Sequence, residues 1–118
     1  MTQNGRSAFD LLVEWLASDQ PVNHFGRDVV EKNRAYGLSY GDGLRDLVLD
    51  VRSNPNGYRN LVKEFSKEQA KNYPNGYPAE DGAAKWTMRQ MSDREFGQVD
   101  WDKVADAVFP EDNNQDDK

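Results

Sequence analysis

Cysteine is absent from this 118-residue chain, which excludes disulfide frameworks, thiolate metal sites and thiol nucleophiles. Histidine occurs once, as His24, near the start of the second expected helix. No uncharged apolar run approaches the roughly 20 residues that a membrane helix needs. The first twenty residues carry Asp10 and Glu14 inside their apolar stretch, which is wrong for a secretory signal. A soluble, cytoplasmic protein is the expectation. Period-two alternation is also missing, so no strand is expected.

Apolar residues are scarce as well, at 36% with a mean hydropathy of −0.97. At this length one domain is expected, burying about two-thirds of its unfolded surface. Thirteen aromatic residues supply much of the core, because large rings bury much area per residue.

What is present has helical periodicity. Ala8, Leu11, Leu12, Trp15 and Leu16 trace one face of a first helix behind Ser7. Phe25, Val29 and Val30 predict a second over 23–36, with Pro21 as the separator. Leu44, Leu47, Val48 and Val51 predict a third, from 39–42 to 53–54. Tyr58, Leu61, Val62 and Phe65 predict a fourth and longest, running to Tyr73. Trp86, Met88 and Met91 suggest a fifth from about Asp81. Ser92 and Glu95 have capping-box spacing for one further turn. Asp100 caps a last helix on Trp101, Val104, Ala105 and Val108, stopped by Pro110. The reading is an all-α, compact single domain of five or six helices over 1–110, followed by a disordered acidic tail over 111–118. Leu12, Trp15, Leu47, Val48, Leu61, Phe65, Trp86 and Trp101 are the expected core.

The tetrapeptide Pro-Asn-Gly-Tyr occurs at 55–58 and again at 74–77. The residues after the two copies share no pattern, so they predict turn punctuation on either side of the fourth helix. Tyr73 and Tyr77 are expected to form an exposed aromatic edge at the second copy.

Charge is distributed unevenly. Residues 1–92 hold twelve basic and twelve acidic side chains, whereas residues 93–118 hold three basic and nine acidic. The last 26 residues therefore carry the whole net charge of −6. Such a pole would steer basic partners and repel nucleic acid, and a solvated tail is the plainer reading of it. Asp93, Glu95, Asp100, Asp102 and Asp106 are the candidate protein-binding residues, with Asp100, Asp102 and Asp106 able to project together from the last helix.

Other constellations are weaker. Tyr40-Gly41-Asp42-Gly43 places two glycines before a helix, where free amides can hold phosphate. It lacks a preceding strand, a third glycine and a lysine, so a turn and cap is the better account. Asp112, Asn114 and Asp116 match the first offsets of a calcium loop, but Asp117 stands where glycine is required. Acidic pairs one helical turn apart (Asp46 and Asp50, Glu64 and Glu68, Asp102 and Asp106) have basic neighbours and fit solvated faces better than a metal site. His24 has no recognisable nucleophile to serve. No catalytic residue, cofactor or metal is expected. Arg59, Lys63, Lys67 and Lys71 step by four along the fourth helix. With Tyr58 and Asn60 they support an alternative, a DNA-binding regulator reading DNA with residues 57–73.

The sequence thus favours a non-enzymatic, acidic interaction protein that binds a basic surface of another protein, without membrane contact and with direct nucleic-acid binding as the lesser alternative. Small acidic single domains of this type include phage- and plasmid-encoded inhibitors of restriction or CRISPR nucleases. The chain is similar to these in type, without a shared motif.

Overall fold

A computed structural model describes residues 5–111. Among them the chain forms seven α-helices and no strand: α1 (Ala8–Ser18), α2 (Gln20–Ala35), α3 (Tyr40–Ser53), α4 (Gly57–Glu68), α5 (Gly82–Arg89), α6 (Asp93–Gln98) and α7 (Trp101–Val108). The all-α expectation holds, with one helix more than the upper count. The predicted tail beyond Glu111, and the calcium-loop coincidence within it, lie outside the described residues.

Polar caps set most boundaries. Ser7 accepts from Asp10 N at 3.0 Å and starts α1. Asp19 ends α1 and at once caps α2, accepting from Val22 N at 3.3 Å. Pro21 therefore sits in the first turn of α2, where a missing N–H loses nothing, and α2 begins three residues earlier than expected. Ser39 starts α3. The capping box of Ser92 and Glu95 is present in full at α6. Asp100 accepts from Lys103 N at 3.2 Å and starts α7.

The longest helix is α2, with 16 residues, and not α4, which has 12. Past Glu68 the chain runs on in hydrogen-bonded turns, with Asn72 N and Tyr73 N both donating to Gln69 O. Apolar residues thin out there, so no packed face holds a further helical turn.

Helix α3 lies at the centre, packed on α2, α7 and α4, while α1 closes the core against α2, α7 and α5. Leu12, Trp15, Val48, Phe65 and Trp101 are buried as expected, and Leu47 and Leu61 are half-buried. Trp86 departs from expectation at 46% exposed. Residues 86 and 88 are two apart and cannot share a helix face. The face α5 turns inward is Ala84, Thr87 and Met88.

The two Pro-Asn-Gly-Tyr copies do bracket α4, but their glycines serve different ends. Gly76 has φ +87°, the left-handed conformation of a chain reversal. Gly57 is buried at the start of α4, where a Cβ would run into the Asp50 carbonyl. Tyr77 is half-buried rather than forming an open edge. Its ring stands edge-on to Phe65 and Tyr73, with centroids at 5.2 and 5.1 Å.

Tyr58 reaches into the core, and its hydroxyl donates to Asp19 Oδ2 at 2.8 Å. Burial, and then that bond, push the phenol pKa well above its ordinary value of 10. The unfolded chain ionises near 10 while the fold still holds the proton, so this stabilisation is complete below pH 10 and is lost as pH rises towards the folded value. Urea midpoints of the natural chain are expected to fall above pH 10, and Tyr58→Phe to reduce that fall. At neutral pH the same variant is expected to lose about 1.5–3 kcal/mol, the range for a bond to a charged acceptor. An unaltered alkaline decline would place the hydroxyl in solvent.

Candidate interaction surface

The acidic residues of α7 are built into the fold by one oxygen each. Asp100 Oδ1 takes the capping bond from Lys103 N. Asp102 Oδ1 accepts from Gly41 N at 3.0 Å, which places a carboxylate at the N-terminus of α3, where the helix dipole favours negative charge. This contact explains Gly41. A Cβ there would run into the Asp102 carboxylate and stand 2.6 Å from the Asp102 backbone nitrogen. The glycine pair expected before the helix lies inside the first turn of α3 and serves close packing, and one of its amides is filled by the protein's own carboxylate.

One turn further on, Asp106 Oδ1 accepts from Arg34 Nη2 at 2.9 Å and from the Tyr40 hydroxyl at 3.1 Å. The bond to Asp106, with partial burial and the same carboxylate's charge, raises the Tyr40 phenol pKa. Arg34 is only 12% exposed. It also donates to Phe109 O at 2.6 Å and lies over the Tyr40 ring at 4.5 Å.

Asp93 and Glu95 belong to the opposite end of α3. Asp93 Oδ1 accepts from Arg52 Nη2 at 2.9 Å while its side chain remains 99% exposed. Glu95 Oε1 accepts from Ser92 N at 2.8 Å, and that backbone bond leads the effects holding its carboxyl below the usual range. Gly41 and Arg52 stand about 16 Å apart along α3, at 1.5 Å per residue. The five candidate acids therefore form two groups, Asp100, Asp102 and Asp106 at one end and Asp93 and Glu95 at the other. In Asp93, Asp100, Asp102 and Asp106 the second oxygen, Oδ2, has no hydrogen-bond donor among the described residues.

Arg59, Lys63 and Lys67 line α4 and are exposed, whereas Lys71 lies past the helix end at Glu68. Lys67 pairs with Glu64 at 3.5 Å. Arg59, Lys63 and Lys71 have no acidic partner among the described residues. Of the three residues that would open a recognition helix, Tyr58 is buried, which leaves Arg59 and Asn60 outward.

His24 Nε2 lies 2.9 Å from Glu68 Oε1, and its ring is edge-on to Phe25 and Phe65. The cleft beside it, of about 410 Å³, is lined by amides together with Arg27, Phe65 and Tyr73, and presents no serine, threonine or lysine for the imidazole to activate. A second cleft, of about 590 Å³, lies between the end of α3 and α5. The Arg52 guanidinium on its wall is already bonded to Met88 O, Met91 O and Asp93. Among the described residues no three of His, Asp and Glu come within reach of one metal ion, and no helix is long and apolar enough to cross a membrane.

The residues that orient these acids escaped the sequence reading. Arg34 and Tyr40 meet Asp106 across 72 and 66 positions, and no local pattern announces such a pairing. No protein-family model, no curated protein and no solved structure matches this chain.

Proposed function

We propose that this chain is a non-enzymatic interaction protein whose acidic α7 end docks on a basic surface of another protein. The observation that carries this reading is the one-oxygen anchoring of Asp100, Asp102 and Asp106. Each carboxylate is held in place by its Oδ1 and presents an Oδ2 with no donor among the described residues. A partner's lysine or arginine then meets acceptors that are already ordered, which lowers the entropic cost of association. Charge-assisted bonds to such acceptors are shorter and stronger than neutral ones. A nucleic-acid-binding effector, including a restriction or CRISPR nuclease, presents the basic surface this requires. The inhibitor role stands on that complementarity alone.

A DNA-binding regulator is the second reading, favoured by the exposed Arg59, Lys63 and Lys71, which have no acidic partner among the described residues. The test uses two variant sets, Asp100→Asn with Asp102→Asn and Asp106→Asn, and Arg59→Gln with Lys63→Gln, Lys67→Gln and Lys71→Gln. Asparagine keeps the Oδ1 acceptor and is itself a good cap, so the first set removes charge while preserving the fold. Both sets are run against duplex DNA and against the protein retained from lysate of the encoding organism. The acidic set is expected to weaken protein binding by about tenfold or more, and the basic set to leave it within about twofold. Tight DNA retention that is lost with the basic set would replace this reading with the second.

A further inference from the structure

A third cleft, of about 330 Å³, opens where the end of α1, the start of α4 and the segment leading into α5 meet. Its walls carry three aromatic residues, Trp15, Tyr58 and Tyr77, with Pro78 beside them and two carboxylates, Asp19 and Glu80. Among the described residues no lysine, arginine or histidine lines it. The charge of Asp19 is uncompensated. Its oxygens accept from Val22 N, Trp15 Nε1 and the Tyr58 hydroxyl, which are all neutral, and it has no ion pair among the described residues. Asp19 is half-buried, so its field is screened less than that of a surface acid. Glu80 is exposed and also lacks a basic partner among the described residues. The adjacent Asp81 is paired with Lys85 at 3.3 Å. Burial, then the Asp19 charge, Tyr73 and the Glu80 charge, raise the Tyr77 phenol pKa, so both carboxylates act on the same wall of the cleft.

Aromatic walls and uncompensated negative charge suit an organic cation, which rings and carboxylates attract together. No third His, Asp or Glu among the described residues comes within reach to make this a metal site. The hydrogen bonds narrow the kind of cation. An ionised carboxylate offers about four acceptor sites, and at Asp19 three are already taken. A primary ammonium or a guanidinium brings several N–H donors, which lose water on entry and find few replacements. A quaternary ammonium has no N–H to satisfy and keeps its full charge.

We infer that this cleft binds a quaternary ammonium group, carried by a small molecule of the choline type or by a trimethylated lysine side chain. The inference does not depend on the acidic-docking reading, since none of the α7 carboxylates lines the cleft.

The test titrates the 15N-labelled full chain with choline at constant ionic strength, and repeats the titration with 3,3-dimethylbutan-1-ol, its neutral isostere. Choline is expected to shift the amides of residues 15–19, 58 and 77–83 saturably, and the isostere to bind about tenfold more weakly. Glu80 is exposed and makes no hydrogen bond among the described residues, so Glu80→Gln keeps the fold and is expected to weaken choline about threefold. Tyr77→Leu, with its fold verified by its own amide spectrum, is expected to weaken choline about tenfold. If that variant fails to fold, Glu80→Gln and the isostere still decide. Trimethyllysine and lysine, each as the N-acetyl methylamide, then identify the source. A trimethyllysine affinity about tenfold or more above that of choline supports a methylated protein as the ligand, and a similar or lower one supports a small molecule. Lysine binding as tightly as trimethyllysine overturns the quaternary assignment. Equal affinities for choline and its isostere overturn the inference by making the cleft merely apolar. Unchanged choline affinity in the folded variants, no saturable shift, or shifts centred on residues 100–106 overturn it too.

Discussion

Replacing Asp19 by alanine is expected to destabilise the domain by about 3–5 kcal/mol, seen as a lower urea midpoint with an unchanged slope. One carboxylate serves three elements at once. Its Oδ1 caps α2 through Val22 N, and its Oδ2 accepts from Trp15 Nε1 at 3.2 Å and from the Tyr58 hydroxyl at 2.8 Å. Losing the cap costs about 1 kcal/mol. Leaving the indole and phenol donors without a partner costs about 1–3 kcal/mol each, because Trp15 and Tyr58 are 3% and 7% exposed. The contributions share one acceptor, so they couple. Asp19→Ala combined with Tyr58→Phe is expected to fall short of the sum of the single effects. Additivity would mean that Asp19 and Tyr58 act independently.

Arg52→Ala is expected to cost about 2–4 kcal/mol, on the scale of bonds to a charged donor and of buried carbonyls left without a partner. Arg52 is 13% exposed. It gathers the end of α5 and the start of α6, donating to Met88 O at 3.0 Å, Met91 O at 3.1 Å and Asp93 Oδ1 at 2.9 Å while lying 5.0 Å over the Phe96 ring. Lysine cannot reproduce a planar fork that meets three acceptors, so Arg52→Lys is expected to recover less than half of the loss. Asp93→Asn is expected to be nearly neutral, since Asp93 is fully solvated at its other oxygen and exposed pairs contribute little. Full recovery by lysine would reduce Arg52 to a simple positive charge.

Local chemistry made much of the fold legible beforehand. Ser7, Ser39, Ser92 and Asp100 are caps whose side chains act within three residues, so their signal lies in the sequence itself. The apolar rhythms of α1 and α3 are long enough to define a face. The exposure of Trp86 is not legible in the sequence, because an eight-residue helix offers two turns, too few to separate its inward face from an aromatic residue beside it. The end of α4 is equally hard to read, because the polar residues after Phe65 continue a helical composition without a packed face to hold it.

The candidate surface was legible only as composition. Nothing near Asp102 says that it fills the amide of Gly41, 61 positions away, and nothing near Arg34 names Asp106. Those pairings come from the packing of α7 across α3 and α2, which one sequence does not specify. The exposure of Tyr36 and Leu38 is illegible for the related reason that exposure is a tertiary property.

Whether the fixed carboxylates of α7 attract a basic protein is decided most directly by the kinetics of association. The association rate constant with the retained partner is to be measured by stopped flow from low to physiological salt, for the natural chain and for the Asp100→Asn, Asp102→Asn, Asp106→Asn variant. Steering between exposed charges is screened over about 8 Å at physiological ionic strength, so the natural chain should associate more slowly as salt rises, and the variant should be slower at low salt with a flatter dependence. Equal rates and equal salt slopes for the two proteins would contradict the claim, and the acidic end of this chain would then be a solvated surface only.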